Sequence, residues 1–143
     1  MTKDPIVKHY IITHIITLIK NMDVYFTIGL LLKNKISGEQ EIDQENNLCG
    51  ILSEKDCLLT FVNGFFYNMP GVPVFQFMTT FVSTVTPNTE LFSAADLFLK
   101  NNFHRMPVIS GKKLVGQIIR RNILRAIHDS INYDMNSKEI NGI

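Results

Sequence analysis

The sequence has little net charge, few cysteines and no long hydrophobic run. A formal net charge of +1 over 143 residues argues against a broad electrostatic contact with nucleic acid. The apolar segment HYIITHIITLI at 9–19 is far shorter than the ~20 residues of a membrane-spanning helix and lacks the small-residue cleavage site of a signal peptide. Its β-branched residues favour a strand. The sequence therefore predicts no nucleic-acid partner and no membrane contact.

Residue patterns of common enzyme and metal sites are also lacking. Cys49 and Cys57 have no metal-ligand spacing, and we expect reduced thiols in a cytoplasmic protein. No glycine-rich phosphate loop occurs. The acidic run EQEIDQEN at 39–46 lacks the spacing and the glycine of a calcium loop, and is interpreted as a solvated strand edge and turn. We expect no enzymatic activity, no metal and no required cofactor.

An internal repeat is the main positive feature of the sequence. LLLKN at 30–34 matches LFLKN at 97–101, and, after a one-residue difference in loop length, Gly50 matches Gly116. The hydrophobic content of 45%, with 19% charged residues, is that of a folded domain. The matches extend over most of the chain and predict a tandem duplication.

Each copy predicts the order strand, helix, strand, strand, helix. Residues that favour helix N-caps precede the first helix of each copy, Asn21 and Asp23 in one and Asn88 and Thr89 in the other. The predicted strands are 15–18, 39–43 and 48–52 in the first copy and 82–86, 106–109 and 114–119 in the second, and the final helices are 54–62 and 121–131.

The repeat divides the chain into four parts. These are repeat 1 with its lead-in at 1–62, a connector at 63–77, repeat 2 at 78–131 and a polar tail at 132–143 that we expect to fray. Because a unit of roughly 60 residues cannot bury both of its faces alone, we predict an α+β fold of tandem βαββα repeats, packed sheet to sheet around one core with pseudo-two-fold symmetry. Aromatic residues near the connector are expected to cover that core or to form a dimer face: Phe61, Phe65, Phe66, Tyr67, Phe75 and Phe77.

Residues 78–127 carry a specific pattern: MT before the first strand, a TP turn, the strand HRMPV and a strand ending G-x-x-x-R-R-N. This pattern resembles a CBS motif, and residues 9–129 as a whole resemble a CBS-domain pair, or Bateman module. The resemblance implies two βαββα units with two clefts, commonly assembled as a homodimer. It also implies a regulatory role: such modules usually sense an adenosine-containing ligand such as AMP, ADP, ATP or S-adenosylmethionine.

Ser53 and Asp56 follow the third strand of repeat 1, in GILSEKD. The resemblance implies that the hydroxyl and the carboxylate at these positions hold the ribose. We predict that Thr17 and its strand neighbours flank the base. A carboxylate in the first turn of a helix can accept hydrogen bonds from two vicinal hydroxyls. Ser-x-x-Asp is also a helix-capping pattern, and the spacing leaves both interpretations open.

Repeat 2 differs at the corresponding positions. Ile119 cannot hydrogen-bond through its side chain, and Asn122 is a weaker acceptor than a carboxylate. Repeat 2 instead keeps His104, Arg105 and Pro107, and in some family members the His-Arg pair contacts phosphate. We therefore predict one composite cleft, with ribose contacts from repeat 1 and phosphate contacts from His104 and Arg105. A solvated strand entry is the alternative for that pair.

Arg120 and Arg121 open the last helix of repeat 2, where the helix dipole disfavours cations. An anionic ligand, an acidic partner or ordinary surface charge would account for them. The sequence as a whole predicts a standalone ligand sensor that signals to an unidentified effector protein. The alternative is a structural dimerisation or interaction module whose clefts no longer bind a ligand.

Overall fold

The computed structural model describes residues 5–65 and 72–142, with side chains at 5–63 and 72–131. Phe66 and Tyr67 lie outside the described residues, as does the side chain of Phe65. The chain forms two compact units. The described residues of 16–82 and 111–114 form the repeat-1 unit, and those of 1–15, 83–110 and 115–143 form the repeat-2 unit. Each unit thus also contains residues from the N-terminal part of the other repeat.

The repeat-1 unit contains a three-stranded sheet and two helices. Its elements are β1 (Thr17–Leu18), α1 (Val24–Asn34), β2 (Gly38–Ile42), β3 (Leu48–Ser53) and α2 (Glu54–Thr60), and α2 continues into a π-helical turn at Phe61–Phe65. β1 runs parallel to β2, and β2 runs antiparallel to β3. As predicted, Asp23 caps α1, accepting a hydrogen bond from the backbone N–H of Tyr25 at 3.3 Å.

The repeat-2 unit contains α3 (Leu91–Asn101), β4 (Arg105–Ser110), most of β5 (Lys113–Ile119) and α4 (Arg120–Gly142). The strand predicted at 82–86 is reduced to one bridge, in which Val85 pairs in parallel with Val108. A turn follows at once, because the backbone N–H of Thr86 donates to the hydroxyl of Thr89. Thr89 is therefore not the predicted helix cap, and neither is Asn88: α3 begins after Glu90, which makes no side-chain capping bond.

Secondary structure near the two chain ends differs from the predicted elements. The N-terminal segment is not one strand: it begins with a 3-10 helix at Val7–Tyr10, whose first N–H groups donate to the carbonyls of Thr89 and Pro87 at 2.8 Å. The polar tail does not leave the helix at 131, since α4 continues to Gly142. No proline or glycine occurs between 132 and 141 to stop it.

Within the described residues, the buried hydrophobic side chains fall into two clusters, one in each unit. The repeat-2 cluster is Val7, Val85, Leu91, Ala94, Phe98, Met106, Val108, Ile118, Ile123 and Ala126, whereas the repeat-1 cluster is Leu18, Leu52 and Val74. Phe77 packs against the smaller cluster, while Phe61 and Phe75 are about half exposed. The connector thus packs from residue 72 onward, as expected.

The second strand of repeat 1 is buried, contrary to the prediction. β2 is the middle strand of its sheet, and Glu39, Gln40 and Glu41 are all buried. The interpretation of 39–46 as a solvated strand edge was therefore wrong for the strand, although the turn at 43–46 is exposed. The error arose because charged residues are rarely buried, so that the composition of β2 favoured the surface.

Candidate ligand-binding site

Ser53 and Asp56 form a capping box at the start of α2. Ser53 ends β3, and its hydroxyl accepts a hydrogen bond from the backbone N–H of Asp56 at 3.2 Å. In return the backbone N–H of Ser53 donates to Asp56 Oδ2 at 2.9 Å. The capping interpretation of Ser-x-x-Asp is therefore confirmed, and it fixes the orientation of the Asp56 carboxylate.

Thr79 is a third member of this group that sequence reasoning missed. It lies in the strap segment 78–80, where Thr79 and Ile51 exchange backbone hydrogen bonds of 2.9 Å. The strap can lie this close because position 50 is glycine: a Cβ there would stand 2.7 Å from the Thr79 carbonyl oxygen. The hydroxyl of Thr79 donates to Asp56 Oδ1 at 3.2 Å. The signal was the MT pair before the repeat-2 strand, to which no role was assigned.

The Asp56 carboxylate retains acceptor capacity. Oδ2 accepts from the backbone N–H and the hydroxyl of Ser53. The Thr79 hydroxyl donates chiefly to Oδ1, at 3.2 Å against 3.5 Å to Oδ2. A carboxylate offers about four lone-pair positions, so Oδ1 can take at least one further donor. Its neighbours already hold it in place, so that a new donor meets a fixed acceptor.

Asp56 opens onto a cavity in the repeat-1 unit. The cavity measures about 330 Å³ and is lined by Asp56, Leu59, Thr60, Asn63, Gln76 and Phe77. Carboxylate, hydroxyl and amide groups supply hydrogen bonds there, and Leu59 and Phe77 supply apolar surface. This combination suits a small ligand with both polar and flat apolar parts. Thr17, the third predicted contact of repeat 1, pairs with Gln40 in the sheet and is not among the lining residues.

Cys57 next to Asp56 is not poised as a nucleophile. Burial, and to a lesser extent the nearby carboxylates of Asp56 and Glu54, raise the pKa of its thiol to about 11. The thiol is therefore protonated at neutral pH and far less reactive than a thiolate. Among the described residues, no group of three or more His, Cys, Asp or Glu side chains is arranged to hold a metal ion.

The corresponding residue of repeat 2, Asn122, has a different partner. It is 9% exposed, and its side-chain amide donates to the backbone carbonyl of Tyr10 at 2.8 Å. Nearby, a second strap segment, residues 11–13, pairs with β5 through Ile12 and Gln117, and a Cβ at Gly116 would stand 2.6 Å from the Ile12 carbonyl oxygen. Asn122 therefore anchors the N-terminal segment, using a donor that an aspartate would not have.

The remaining predicted residues also lie in the repeat-2 unit. His104 is exposed before β4, Arg105 begins that strand half-buried, and Pro107 is buried within it. The Pro107 carbonyl accepts from the backbone N–H of Val85 at 3.1 Å. The exposed side chains of His104 and Arg121 leave both available to bind an anion.

Arg120 has a structural explanation for its place at the start of α4. Its guanidinium donates to the Phe103 carbonyl and to the side-chain oxygen of Asn102, the latter at 3.0 Å. Asn102 is the left-handed C-cap of α3. Arg120 thus closes the turn between α3 and β4, so that no anionic ligand is needed to account for it.

The structure brings together Ser53, Asp56 and the unpredicted Thr79. It gives Asn122 and Arg120 roles within their own unit, and the composite cleft with His104 and Arg105 stays a prediction. In the described part of the chain, no helix has the length and apolar character needed to span a membrane.

Comparison with known proteins agrees with the repeat and the fold. Residues 74–129 match the model of the CBS domain. An uncharacterised 17.7 kDa protein from the bps2 3' region of Acidianus ambivalens is 33% identical over 104 residues, which are 71% of this chain and 61% of that protein. The chain thus spans less than two thirds of this relative.

Among solved structures, the CBS-pair protein CBSX2 from Arabidopsis thaliana superposes with a TM-score of 0.81 at 25% identity, covering 91% of this chain and 99% of CBSX2. CBSX2 in complex with AMP superposes with a TM-score of 0.76 at 27% identity, covering 87% and 96%. With its tandem βαββα-like units and its match to the family motif, the chain is a CBS domain protein with the α+β fold of a CBS pair.

Proposed function

We propose that the protein is a regulatory module that binds one adenosyl ligand per chain, in the repeat-1 unit, through Asp56. The observation that carries the proposal is the carboxylate itself. It is held by Ser53 and Thr79, keeps acceptor capacity at Oδ1 and lines a cavity of about 330 Å³. A ribose hydroxyl is a suitable donor for it, and a charge-assisted hydrogen bond of this kind contributes about 1.5–3 kcal/mol.

The ligand class is AMP, ADP, ATP or S-adenosylmethionine. Its support is the family, in which CBSX2 has been crystallised with AMP. Phe77 and Leu59 offer apolar surface to a base, with Thr17 proposed beside it. His104 and Arg105 are proposed to contact phosphate, with Arg121 as a further cation. Pro107 would keep the strand behind that pair in place, and Asn122 would add no ribose contact.

The output is proposed to be a change in assembly that an effector protein senses. Two exposed apolar positions recur in both repeats: Tyr25 and Phe92 at one aligned position, Leu32 and Leu99 at the other. Large side chains of this kind are enriched at interfaces, so they favour a homodimer. The free thiols Cys49 and Cys57 suit a reducing compartment such as the cytoplasm. No catalytic role is proposed.

A thermal-shift panel with AMP, ADP, ATP and S-adenosylmethionine tests this function. A ligand at 100 times its Kd should add about 2.7 kcal/mol of stability, and Asp56→Ala should abolish that gain. Asp96→Ala is the matched control, because Asp96 is an exposed helix carboxylate paired with Lys100. Equal stabilisation of the parent and Asp56→Ala by the same ligand would refute the assigned site.

A second candidate function is an interaction module without a physiological ligand. It is favoured by the loss of ribose-binding groups in repeat 2, where Ile119 has no polar side chain and Asn122 is occupied by Tyr10. Gln40 stands where repeat 2 has Pro107, and this departure from the family motif also favours a module without a ligand. Two results together would favour this function. None of the ligands in the thermal-shift panel would raise the melting temperature at millimolar concentration, and the dimer would dissociate on Leu32→Lys or Leu99→Lys substitution.

A further inference from the structure

Two carboxyl groups lie on the core face of the repeat-1 sheet. Glu39 and Glu41 are 2% and 1% exposed. Leu52 stands opposite Glu39 on β3, and Leu18 stands beside Glu41 on β1. Directly paired residues of neighbouring strands point to the same face, and both leucines belong to the repeat-1 hydrophobic cluster. The two glutamates therefore occupy core positions.

Repeat 2 fills the same positions with apolar side chains. When the strand SGEQEI is aligned with HRMPVI, Glu39 corresponds to Met106 and Glu41 to Val108. Met106 and Val108 are both 0% exposed and belong to the larger cluster. The strand at this place in the repeat is therefore apolar in repeat 2 and acidic in repeat 1.

Glu41 has no hydrogen-bond partner among the described residues at its buried oxygen Oε2. The groups around Glu41 do little to stabilise a negative charge there. Lys20, which follows β1, is the one cation among these described residues, and Cys49 lies beside Glu41 on β3. Glu39 is two residues away on the same face, and the strap residues Met78 and Thr79 are uncharged. Burial raises the pKa of Glu41, and the attraction of Lys20 opposes this only in part. Burying an unpaired carboxylate is expensive, whereas burying the neutral acid is much less so.

We propose that Glu41 binds a proton when the repeat-1 unit folds and releases it when β2 and β3 separate, which makes this unit a pH-responsive element. Below the ordinary pKa of 4.5, folded and unfolded chains are both protonated and pH has no effect through this group. Above it, folding requires proton uptake, so the unfolding equilibrium constant rises by up to about tenfold per pH unit. The rise ends when the pH passes the pKa of the folded state.

Urea denaturation of the parent and of Glu41→Gln across pH 5 to 8 tests the proposal. Glutamine has the size of the neutral acid and does not ionise. The urea midpoint of Glu41→Gln should therefore rise relative to that of the parent as pH rises. Glu45→Gln is the matched control, since Glu45 is exposed in the neighbouring turn, and its difference from the parent should not vary with pH. The proposal would be overturned if the urea midpoint of Glu41→Gln, relative to that of the parent, stays constant or falls as pH rises. A constant difference would mean that Glu41 does not change its proton occupancy on folding, and a falling one that the folded protein stabilises the ionised form.

Hydrogen exchange of the unmodified protein provides the second measurement if Glu41→Gln does not fold. Protection factors, corrected for the chemical exchange rate, should fall with pH at the amides of β2 and β3. They should not fall at the amides of β4, where Val108 occupies the aligned position. An equal pH response of the two sheets, or none in either, would overturn the proposal. Neither experiment uses a ligand, so the proposal fails or stands separately from the proposed function.

Discussion

The two units share one backbone arrangement and equip it with different side chains. In the repeat-1 unit the strap segment 78–80 pairs with β3 through Thr79 and Ile51, and in the repeat-2 unit the second strap segment 11–13 pairs with β5 through Ile12 and Gln117. In each case the strap comes from the N-terminal part of the other repeat, and it crosses a glycine that has no room for a Cβ. The duplication therefore preserved the geometry that positions the start of the last helix.

The chemistry at that helix start has diverged. Asp56 accepts hydrogen bonds from Ser53 and Thr79, and its Oδ1 can accept a further one. Asn122 donates its amide to the Tyr10 carbonyl, and Ile12 has no hydroxyl to offer in the place of Thr79. The same position thus anchors the fold in repeat 2 and is proposed to bind a ligand in repeat 1. A duplicated site can retain its shape while only one copy keeps the function.

The largest expected effect comes from giving repeat 2 the residue of repeat 1. Asn122→Asp removes the donor to Tyr10 and places a buried carboxylate against a carbonyl oxygen, so we expect a loss of about 3 kcal/mol at neutral pH. Protonating the new carboxyl restores a donor, so the loss should shrink as pH falls. Urea denaturation at pH 5 and pH 7.5 measures both. A variant as stable as the parent at pH 7.5 would show that Asn122 does not anchor the N-terminal segment.

Adding a methyl group under each strap should have the next largest effect. Gly50→Ala and Gly116→Ala both place a Cβ within 2.7 Å of a strap carbonyl oxygen, and overpacking of this kind costs about 1–3 kcal/mol. The two losses should be similar, but only Gly50→Ala should also weaken the ligand response, since it displaces Thr79. Gly29→Ala is the control, because a Cβ there meets nothing within 4 Å. Loss of the ligand response in Gly116→Ala would contradict the assignment of the site to repeat 1.

The smallest effect is expected from the cap. Ser53→Ala removes the hydroxyl that accepts from the Asp56 N–H, which should cost about 1 kcal/mol of unfolding free energy. Thr79→Val removes a hydroxyl that donates to the same carboxylate without touching the cap, and it should affect ligand binding more than stability. Parallel thermal melts with and without ligand separate the two effects. A larger ligand defect in Ser53→Ala than in Thr79→Val would reverse the roles given to these hydroxyls.

Local patterns in the sequence were sufficient to predict much of the fold. β2, β3, β4 and β5 lie within one residue or so of their predicted bounds, because β-branched residues and turn formers delimit them. The capping residues Asp23 and Ser53 were also identified, since capping depends on spacing along the chain. In the candidate site, Ser53 and Asp56 were predicted together for the same reason.

The features that were missed depend on contacts between distant segments. Thr79 and Asp56 are far apart in sequence, and Asn122 and Tyr10 are farther still, so neither pair leaves a periodic signal. The burial of Glu39 and Glu41 was missed because composition favours the surface for such residues, and only the sheet order places β2 in the middle. The strand predicted at 82–86 failed because a turn at Thr86 ends the pairing after one residue.

Isothermal titration of the full chain with the ligand selected by the thermal-shift panel is the decisive test of a single site in repeat 1. We expect one ligand per chain, loss of binding in Asp56→Asn and retained binding in Asn122→Ala, measured under conditions where both variants are folded. Two ligands per chain, or binding that survives Asp56→Asn and is lost in Asn122→Ala, would contradict the division of roles between the repeats.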